Sequence, residues 1–351
     1  MAKKDQLITG VDIGSHAVKV CQLQRSGKGY KLSAIGSALL PEGAVEDGIL
    51  QEPEIVGKAI AALFKNLKIK SKRIGISISG YSVIVKKINL EYMTDDELDK
   101  YILAEAEQYI PFDIEDVYLD YRKLPTSSKE RDRSDLMLVA AKKEVVDDYL
   151  MMLDELKLKT VLVDVDGFAL ENIWETSSKT GAEQQNIVLV DIGASKMNIN
   201  IIKEGISVLA RDVVVGSNQL TMQLANTLDI DEEQAEQIKL GAISPGEHQD
   251  LVEDIFNQTC TQWILEIKKA VDLYQANNPN HPLSALVLSG GGSKVAGLVD
   301  YIGQETGLNV ISFNPFETMK VDEKKIDRHY LDSIAPEMAI ATGLAIRQAP
   351  F

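Results

Sequence analysis

The pattern of apolar and polar positions along the chain repeats in two places. In residues 10–20 (GVDIGSHAVKV) and again in residues 189–201 (LVDIGASKMNINI), an apolar run ends in Asp-Ile-Gly and a second apolar run follows. Apolar runs of this length around a glycine turn predict a strand, a tight turn and another strand. The copies lie about half the chain apart, so we expect two halves of similar design that close on one ligand.

Further apolar runs complete an α/β unit in the first half. Helical spacing of Ile55, Ala59, Ala62 and Leu63 predicts one helix, and runs rich in β-branched residues predict strands on either side of it. The predicted elements are strands over 17–24, 30–39 and 73–79 and a helix over 54–65.

A module without phosphate-loop residues follows, from 82 to 162. Thr94 and Glu97 match a capping box, which predicts the start of a helix running to Tyr109, and Pro111 prevents its continuation. We expect a compact subdomain inserted into the first half. Its other predicted elements are strands over 83–89, 118–124, 136–141 and 161–165, an exposed connection over 126–134 and a helix over 143–156.

The second half adds a helical cap and a glycine-rich loop. Helical periodicity over 220–228, 232–240 and 251–275 predicts the cap. Residues 286–298 (LVLSGGGSKVAGL) predict a buried strand, three glycines and a helix beginning near Ser293, whose N-terminus would add a positive dipole end. Small apolar residues over 336–346 predict a final helix, either crossing back to the first half or simply ending in the core.

A chain of 351 residues can bury more than one core, so these patterns predict an α/β protein of two duplicated domains with two smaller subdomains. The expected first core domain is 1–81 with 163–185 and 336–351, and the inserted subdomain is 82–162. The expected second core domain is 186–216 with 284–335, and the helical cap is 217–283.

Charge and composition exclude several classes of function. The net charge of −16 makes nucleic acid and anionic lipid poor partners. Cys21 and Cys260 are isolated, which indicates two reduced, buried thiols rather than a metal or disulfide site. The four histidines have no metal-ligand spacing, although His16 lies inside the first loop and is a candidate lid over it, with a catalytic base as the less favoured alternative.

The chain ends carry no membrane signal. Residues 1–6 are polar and lack the apolar region of a signal peptide, and no apolar stretch reaches the ~18 residues of a spanning helix. Residues 347–351 offer neither a basic amphipathic helix nor a lipidation cysteine. We therefore expect a cytoplasmic protein that reaches the membrane only through a partner.

The two Asp-Ile-Gly turns are candidates for a phosphate site. Each delivers a carboxylate, Asp12 or Asp191, to a strand end, and the glycine lets backbone N–H groups approach a phosphate. Two carboxylates facing a triphosphate would repel it unless a divalent cation, expected to be Mg²⁺, lies between them. A single turn of this kind is also ordinary turn chemistry, and the third loop at Gly290, Gly291 and Gly292 strengthens the nucleotide interpretation.

The order of these loops and of the small-residue final helix resembles the actin/Hsp70/sugar-kinase superfamily. The resemblance implies an actin-like ATPase fold around a nucleotide cleft, with Lys19 as a phosphate-binding lysine. Residues 220–242 are similar to FtsA and the PilM family, where a glutamate and a lysine matching Glu236 and Lys239 clasp ribose and adenine. An intrahelical salt bridge between these two residues is the alternative.

The resemblance implies the following nucleotide site for ATP and Mg²⁺. The candidate catalytic residues are Asp12, Asp191 and Asp166, of which Asp12 and Asp191 also hold the metal. The candidate cofactor-binding residues are Gly14, Ser15, His16, Lys19, Gly193, Ala194, Ser195, Lys196, Gly216, Glu236, Lys239, Gly290, Gly291, Gly292 and Lys294.

Residues 102–121 (ILAEAEQYIPFDIEDVYLDY) resemble the inserted subdomain of the PilM family of type IV pilus assembly. That resemblance implies an actin-like scaffold at the inner membrane that holds the N-terminal cytoplasmic peptide of PilN in a groove between the first core domain and the insert. Other pilus assembly proteins, including the assembly ATPase, are further expected partners. We expect the turn Ile110, Pro111 and Phe112 to shape this groove, and a turn packed into the insert's own core is the alternative.

Two departures from the superfamily pattern bear on hydrolysis. Ala194 and Ser195 replace the glycines of vigorous ATPases, and their Cβ atoms limit how closely the backbone cradles a γ-phosphate. ATP binding with weak hydrolysis at most is therefore expected. Asp166 either orients a water or, more simply, forms the N-cap of its helix.

Other members of the superfamily offer competing functions. An FtsA-like polymerising division protein would usually continue into a membrane-binding helix beyond Phe351, and a sugar kinase of the repressor type would carry a cysteine-rich zinc motif. An Hsp70-like chaperone would need a peptide-binding domain after the last helix. These features favour the pilus scaffold.

Overall fold

Two sheets and a smaller insert form the protein, here a computed structural model that describes residues 7–124, 132–178 and 185–347. The strands are β1 (Thr9–Ile13), β2 (Ala17–Ser26), β3 (Gly29–Leu39), β4 (Val45–Glu46), β5 (Ile49–Leu50), β6 (Arg73–Ile78), β7 (Val83–Glu91), β8 (Val117–Lys123), β9 (Arg133–Lys142), β10 (Lys159–Val165), β11 (Ile187–Ile192), β12 (Met197–Lys203), β13 (Ile206–Val213), β14 (Ala285–Ser289) and β15 (Val310–Ser312). The α-helices are α1 (Pro53–Asn66), α2 (Asp95–Glu105), α3 (Lys143–Glu155), α4 (Asp166–Ser177), α5 (Asn218–Leu228), α6 (Glu232–Lys239), α7 (Gln249–Asn277), α8 (Leu298–Thr306), α9 (Arg328–Ile334) and α10 (Ala339–Ile346).

The two large sheets have the same topology. The first has the order β10-β6-β1-β2-β3, and the second has the corresponding order β15-β14-β11-β12-β13. In each sheet the first three strands in sequence form an antiparallel meander, and the remaining two pair parallel. The repeat seen in the sequence is therefore a duplication of the whole sheet, which confirms the predicted fold class.

The insert is a three-stranded antiparallel sheet with its own small core. Its strand order is β7-β9-β8, and α2 packs against it through Leu98 and Ile102. The capping box predicted at Thr94 and Glu97 is present, with the Thr94 hydroxyl accepting from the Glu97 N–H and the Glu97 carboxylate accepting from the Thr94 N–H. Of the predicted connection 126–134, residues up to 131 lie outside the described residues.

Two elements that the sequence placed in the insert pack on the first core domain instead. Strand β10 hydrogen-bonds to β6 at the edge of the first sheet, in parallel register. Helix α3 turns Val145, Tyr149 and Leu153 into the same apolar core as Ile60 of α1. The insert proper therefore ends at β9, because the apolar stripe of α3 fits the first sheet.

Helices α5, α6 and α7 cover the second sheet as the predicted cap. The helix predicted near Ser293 is absent at that point, and this prediction was wrong. Gly291–Lys294 form one 3-10 turn, Gly297 has a positive φ of 78°, and α8 begins only at Leu298. A chain that turns at Gly297 cannot continue one α-helix through both segments, so the N-terminus of α8 lies beyond Gly297 and not at the glycine loop.

Helices α4 and α10 lie between the two sheets. An ideal Cβ at Gly343 of α10 would stand 1.9 Å from the Ala169 carbonyl oxygen of α4, and one at Gly10 of β1 would stand 2.0 Å from the Ala341 carbonyl oxygen. Only glycine permits backbone approach this close. The predicted close-packed final helix is confirmed, and it crosses back onto the first half.

Candidate functional site

The first loop places Asp12 and Lys19 side by side. The β1–β2 register sets the two residues opposite each other, and the Lys19 Nζ lies 3.1 Å from Asp12 Oδ2. The turn between them is closed by the Gly14 N–H, which donates to the Ala17 carbonyl at 3.1 Å. Burial raises the pKa of Asp12 even though Lys19 opposes it. Burial acts to lower the pKa of Lys19, but Asp12 outweighs it, so that pKa is raised and the ammonium stays charged.

The second loop repeats this geometry with different partners. The Gly193 N–H donates to the Lys196 carbonyl at 2.9 Å, which is the same three-residue closure as in the first loop. The Ser289 hydroxyl at the end of β14 donates to Asp191 Oδ2 at 2.7 Å. Burial raises the pKa of Asp191 to about 6. Each loop therefore presents a carboxylate at a strand end beside a closed glycine turn.

The two loops meet across the cleft. The Ser195 hydroxyl of the second loop donates to the Ser15 hydroxyl of the first at 2.9 Å. Lys196 reaches into the first half, where its Nζ lies 3.2 Å from Asp166 Oδ2 and also contacts the Ser79 hydroxyl. The carboxylates of Asp12, Asp166 and Asp191 thus share one cleft with the ammonium groups of Lys19 and Lys196.

Asp166 does not form the N-cap that the sequence favoured. Val165 is the N-cap of α4, and the Asp166 carboxylate accepts from the Ser79 hydroxyl and pairs with Lys196. Burial acts to raise the pKa of Asp166, but Lys196 and the neighbouring hydroxyl outweigh it, so the pKa is lowered. The capping interpretation was wrong because a cation from the other half of the chain binds the side chain.

The glycines of the third loop differ in how much space surrounds them. An ideal Cβ at Gly290 would stand 2.3 Å from the Ile192 carbonyl oxygen, and one at Gly292 would stand 2.4 Å from Ile192 Cγ2. Gly216 is similarly confined, since an ideal Cβ there would stand 2.2 Å from the Ala194 carbonyl oxygen. A Cβ at Gly291 would meet nothing nearer than Glu337 Cγ, at 3.7 Å. Protein packing explains the first three glycines, whereas a Cβ at Gly291 would make only ordinary contact with Glu337.

Glu236 and Lys239 of α6 form the intrahelical pair that the sequence left open. Their charged atoms lie 2.6 Å apart, and the Thr221 hydroxyl contacts both. Burial lowers the pKa of Lys239 despite Glu236. Lys294, after the glycine loop, pairs with Glu337 in the turn before α10. His16 is exposed, and its carbonyl accepts from the Leu40 N–H.

Sequence reasoning missed several groups that hold this cleft together. Ser79, Ser289 and Glu337 each bind a predicted site residue. Asp212 of β13 accepts from the Gly80 N–H at 2.6 Å and so ties the second half to the first. Ser79 and Asp212 lie outside the loop motifs, whereas Ser289 lies within residues 286–298, directly before the three glycines.

A metal ion at this cleft would depend on the ligand as well as the protein. Within the described ranges, no group of three or more His, Cys, Asp or Glu side chains is arranged to hold an ion. Asp12 and Asp191 alone suit an ion that keeps most of its water and binds phosphate oxygens. Among the same residues, no helix has the length and apolar character needed to cross a membrane.

A separate groove of about 710 Å³ lies where the insert meets the first core domain. Its walls include the edge strands β8 and β10 and one side of α4. The turn at Ile110, Pro111 and Phe112 is not part of its described lining. Ile110 is buried in the insert's core, Phe112 packs against that core, and the Lys142 ammonium lies 5.4 Å from the Phe112 ring centre.

Comparison with known proteins identifies the family. A family profile described as type IV pilus assembly protein PilM matches residues 10–349. A solved structure described as the PilM-PilN type IV pilus biogenesis complex is 26% identical, with a TM-score of 0.86, and the match covers 99% of this chain and 100% of that chain.

More distant structures share the fold alone. The ethanolamine utilization protein EutJ from Carboxydothermus hydrogenoformans is 14% identical with a TM-score of 0.55, and the match covers 97% of this chain and 89% of that one. MreB 5 of Spiroplasma citri bound to AMPPNP is 12% identical with a TM-score of 0.53, and the match covers 97% and 95%. The chain belongs to the PilM family of type IV pilus assembly proteins.

Proposed function

We propose that this protein is a nucleotide-holding scaffold of the type IV pilus inner-membrane assembly complex, which binds the N-terminal cytoplasmic peptide of PilN. The similarity to a PilM-PilN complex over the whole chain is the observation that carries the proposal. The proposal puts the protein at the cytoplasmic face of the inner membrane, where PilN rather than lipid would anchor it. The family match gives no support to an FtsA-like division protein or a small-molecule kinase.

The groove between the insert and the first core domain suits an extended peptide. Strands β8 and β10 are the edges of their sheets, so each offers unpaired backbone N–H and C=O groups to a segment lying between them. Apolar side chains such as Leu119, Val139 and Leu162 line the space. A short peptide can therefore gain main-chain hydrogen bonds and apolar burial together.

The cleft between the halves suits ATP. Lys19 and Lys196 supply positive charge beside the two closed glycine turns. Gly291 leaves room for the nucleoside, and Glu236 and Lys239 are the proposed ribose and adenine contacts. Bound Mg²⁺ would screen the phosphates from Asp12 and Asp191. With Asp166 paired to Lys196, weak hydrolysis at most is proposed.

The test is anisotropy of a fluorescent PilN N-terminal peptide on the purified protein, with and without Mg-ATP. Saturable binding that ATP changes supports both parts of the proposal, and binding that ignores ATP makes the nucleotide structural. Absence of peptide binding in both conditions would overturn the scaffold assignment. In parallel, Asp12→Ala is expected to abolish ATP binding while the thermal unfolding curve stays cooperative, and normal ATP affinity in this variant would move the nucleotide elsewhere.

A further inference from the structure

The groove has a third wall that comes from the second half of the protein. Besides β8, β10 and α4, its lining includes Gly205 of the turn between β12 and β13, with Ile206 and Ser207 at the start of β13; these three residues are called the β12–β13 turn below. This turn belongs to the sheet that carries the second phosphate loop. A segment that fills the groove therefore touches the nucleotide-binding half as well as the insert and the first core domain.

Buried hydrogen bonds fix this turn to the helix that forms the groove floor. The Ser207 hydroxyl donates to Asn200 Oδ1 at 2.7 Å, and Asn200 Nδ2 donates to the Gly167 carbonyl of α4 at 3.2 Å. Asn200 is fully buried and Ser207 nearly so. Because an unpaired buried amide is costly, the turn, β12 and α4 keep this arrangement together.

The same strand and helix also reach the nucleotide cleft. Lys196 immediately precedes β12, Asp166 is the first residue of α4, and their charged groups lie 3.2 Å apart. Farther along, Phe168, Glu171 and Asn172 of α4 line the groove. The contact between α4 and β12 thus carries an ion pair at the cleft, between Lys196 and Asp166, and buried hydrogen bonds near the groove, through Asn200.

We propose that the peptide in this groove is recognised partly through contacts with the β12–β13 turn, and that the contact of α4 with β12 couples the groove to the nucleotide cleft. The inference rests on the proposed function and names its regulation. A ligand that touches both halves binds closed and open arrangements with different affinity, so it shifts the balance between them. Linkage then requires the peptide to change ATP affinity by the same factor by which ATP changes peptide affinity.

The first arm of the test compares two isoleucines of the second half. Ile206→Ala removes apolar surface from the groove and is expected to weaken binding of the PilN peptide by about tenfold. Ile243→Ala changes an exposed isoleucine outside the groove and is expected to leave the peptide affinity unchanged. Equal peptide affinities for wild type and Ile206→Ala would overturn the proposed third wall.

The second arm measures the coupling itself. Peptide affinity is measured with and without ATP, and ATP affinity with and without peptide, in wild type, Ser207→Ala and Ser284→Ala. Ser284 also donates one hydrogen bond in the second half, to the Asn186 carbonyl, but does not line the groove.

The two serine variants should separate the coupled turn from the rest of the second half. In wild type and Ser284→Ala, ATP is expected to change the peptide affinity by the same factor. In Ser207→Ala this factor is expected to be closer to 1. The coupling would be overturned if ATP left the peptide affinity of wild type unchanged, or changed it by the same factor in all three proteins. If wild type does not bind the peptide at all, the proposed function is overturned instead.

Discussion

Gly290 and Gly291 are neighbours, yet the structure predicts opposite consequences for replacing them. An ideal Cβ at Gly291 meets nothing nearer than 3.7 Å, which is ordinary contact, and φ at this residue is not positive. A Cβ at this residue therefore fits the protein, and we expect the two methyl groups of Gly291→Val to occupy space proposed for the nucleoside. We expect ATP affinity to fall about tenfold to a hundredfold, since overpacking costs about 1–3 kcal/mol and each 1.4 kcal/mol is tenfold.

Gly290→Ala should damage the fold instead. Its φ of 84° and ψ of 167° lie in a region that essentially only glycine adopts, which costs an alanine about 1–3 kcal/mol, and its Cβ would overlap the Ile192 carbonyl oxygen at 2.3 Å. Overpacking adds about 1–3 kcal/mol, for a loss of about 2–6 kcal/mol in the free energy of unfolding.

Binding of a fluorescent ATP analogue and thermal unfolding separate the two outcomes. Gly291→Val should keep the wild-type midpoint and lose ATP, whereas Gly290→Ala should unfold at lower temperature. Wild-type ATP affinity in Gly291→Val would refute the assignment of the glycine loop to the nucleoside. An unchanged midpoint in Gly290→Ala would refute the packing argument.

Two further comparisons test stability. Burial raises the pKa of Glu171 to about 7 from 4.5, so ionising it opposes folding by up to about 3 kcal/mol above pH 7 and not below pH 4.5. Glu171→Gln should therefore gain stability over wild type, measured as the free energy of unfolding in urea, and the gain should be larger at pH 8 than at pH 5. An equal gain at both pH values would contradict this. Gly343→Ala should lower the thermal midpoint because its Cβ would lie 1.9 Å from the Ala169 carbonyl oxygen, while Gly303→Ala, with 3.7 Å available, should not.

Local chemistry made much of the fold predictable. The strand, Asp-Ile-Gly and strand repeat predicted two related halves because each copy carries its own apolar runs and turn. The Thr94 capping box and the small residues of α10 were likewise visible, since a cap depends on residues three apart and close packing depends on side-chain size. Sequence could not place α3 or β10, because their partners, α1 and β6, lie far away along the chain.

The site was less predictable than the fold for the same reason. The loops that carry Asp12 and Asp191 follow from local sequence, as does Lys19, which pairs with Asp12, but contacts between distant segments do not. Ser79 lies 87 residues from Asp166, and Lys294 lies 43 residues from Glu337. The helix predicted near Ser293 failed because the pattern of glycines is also compatible with a 3-10 turn closed by Gly297.

The lysines around the cleft already have carboxylate partners, and this sets what a nucleotide must displace. Lys19 pairs with Asp12 within the first half, whereas Lys196 pairs with Asp166 across the cleft. Phosphates that draw both lysines would leave two buried carboxylates without cations, and an unpaired buried charge costs about 3–5 kcal/mol.

A divalent cation that arrives with the nucleotide can restore the balance, so EDTA should lower ATP affinity by about tenfold or more, measured by titration of a fluorescent ATP analogue. Equal affinity with and without Mg²⁺ would mean that the lysines hold phosphate and carboxylate at once. In that case the cross-cleft pair would stay intact on binding, and ATP would add to a closed arrangement rather than create it.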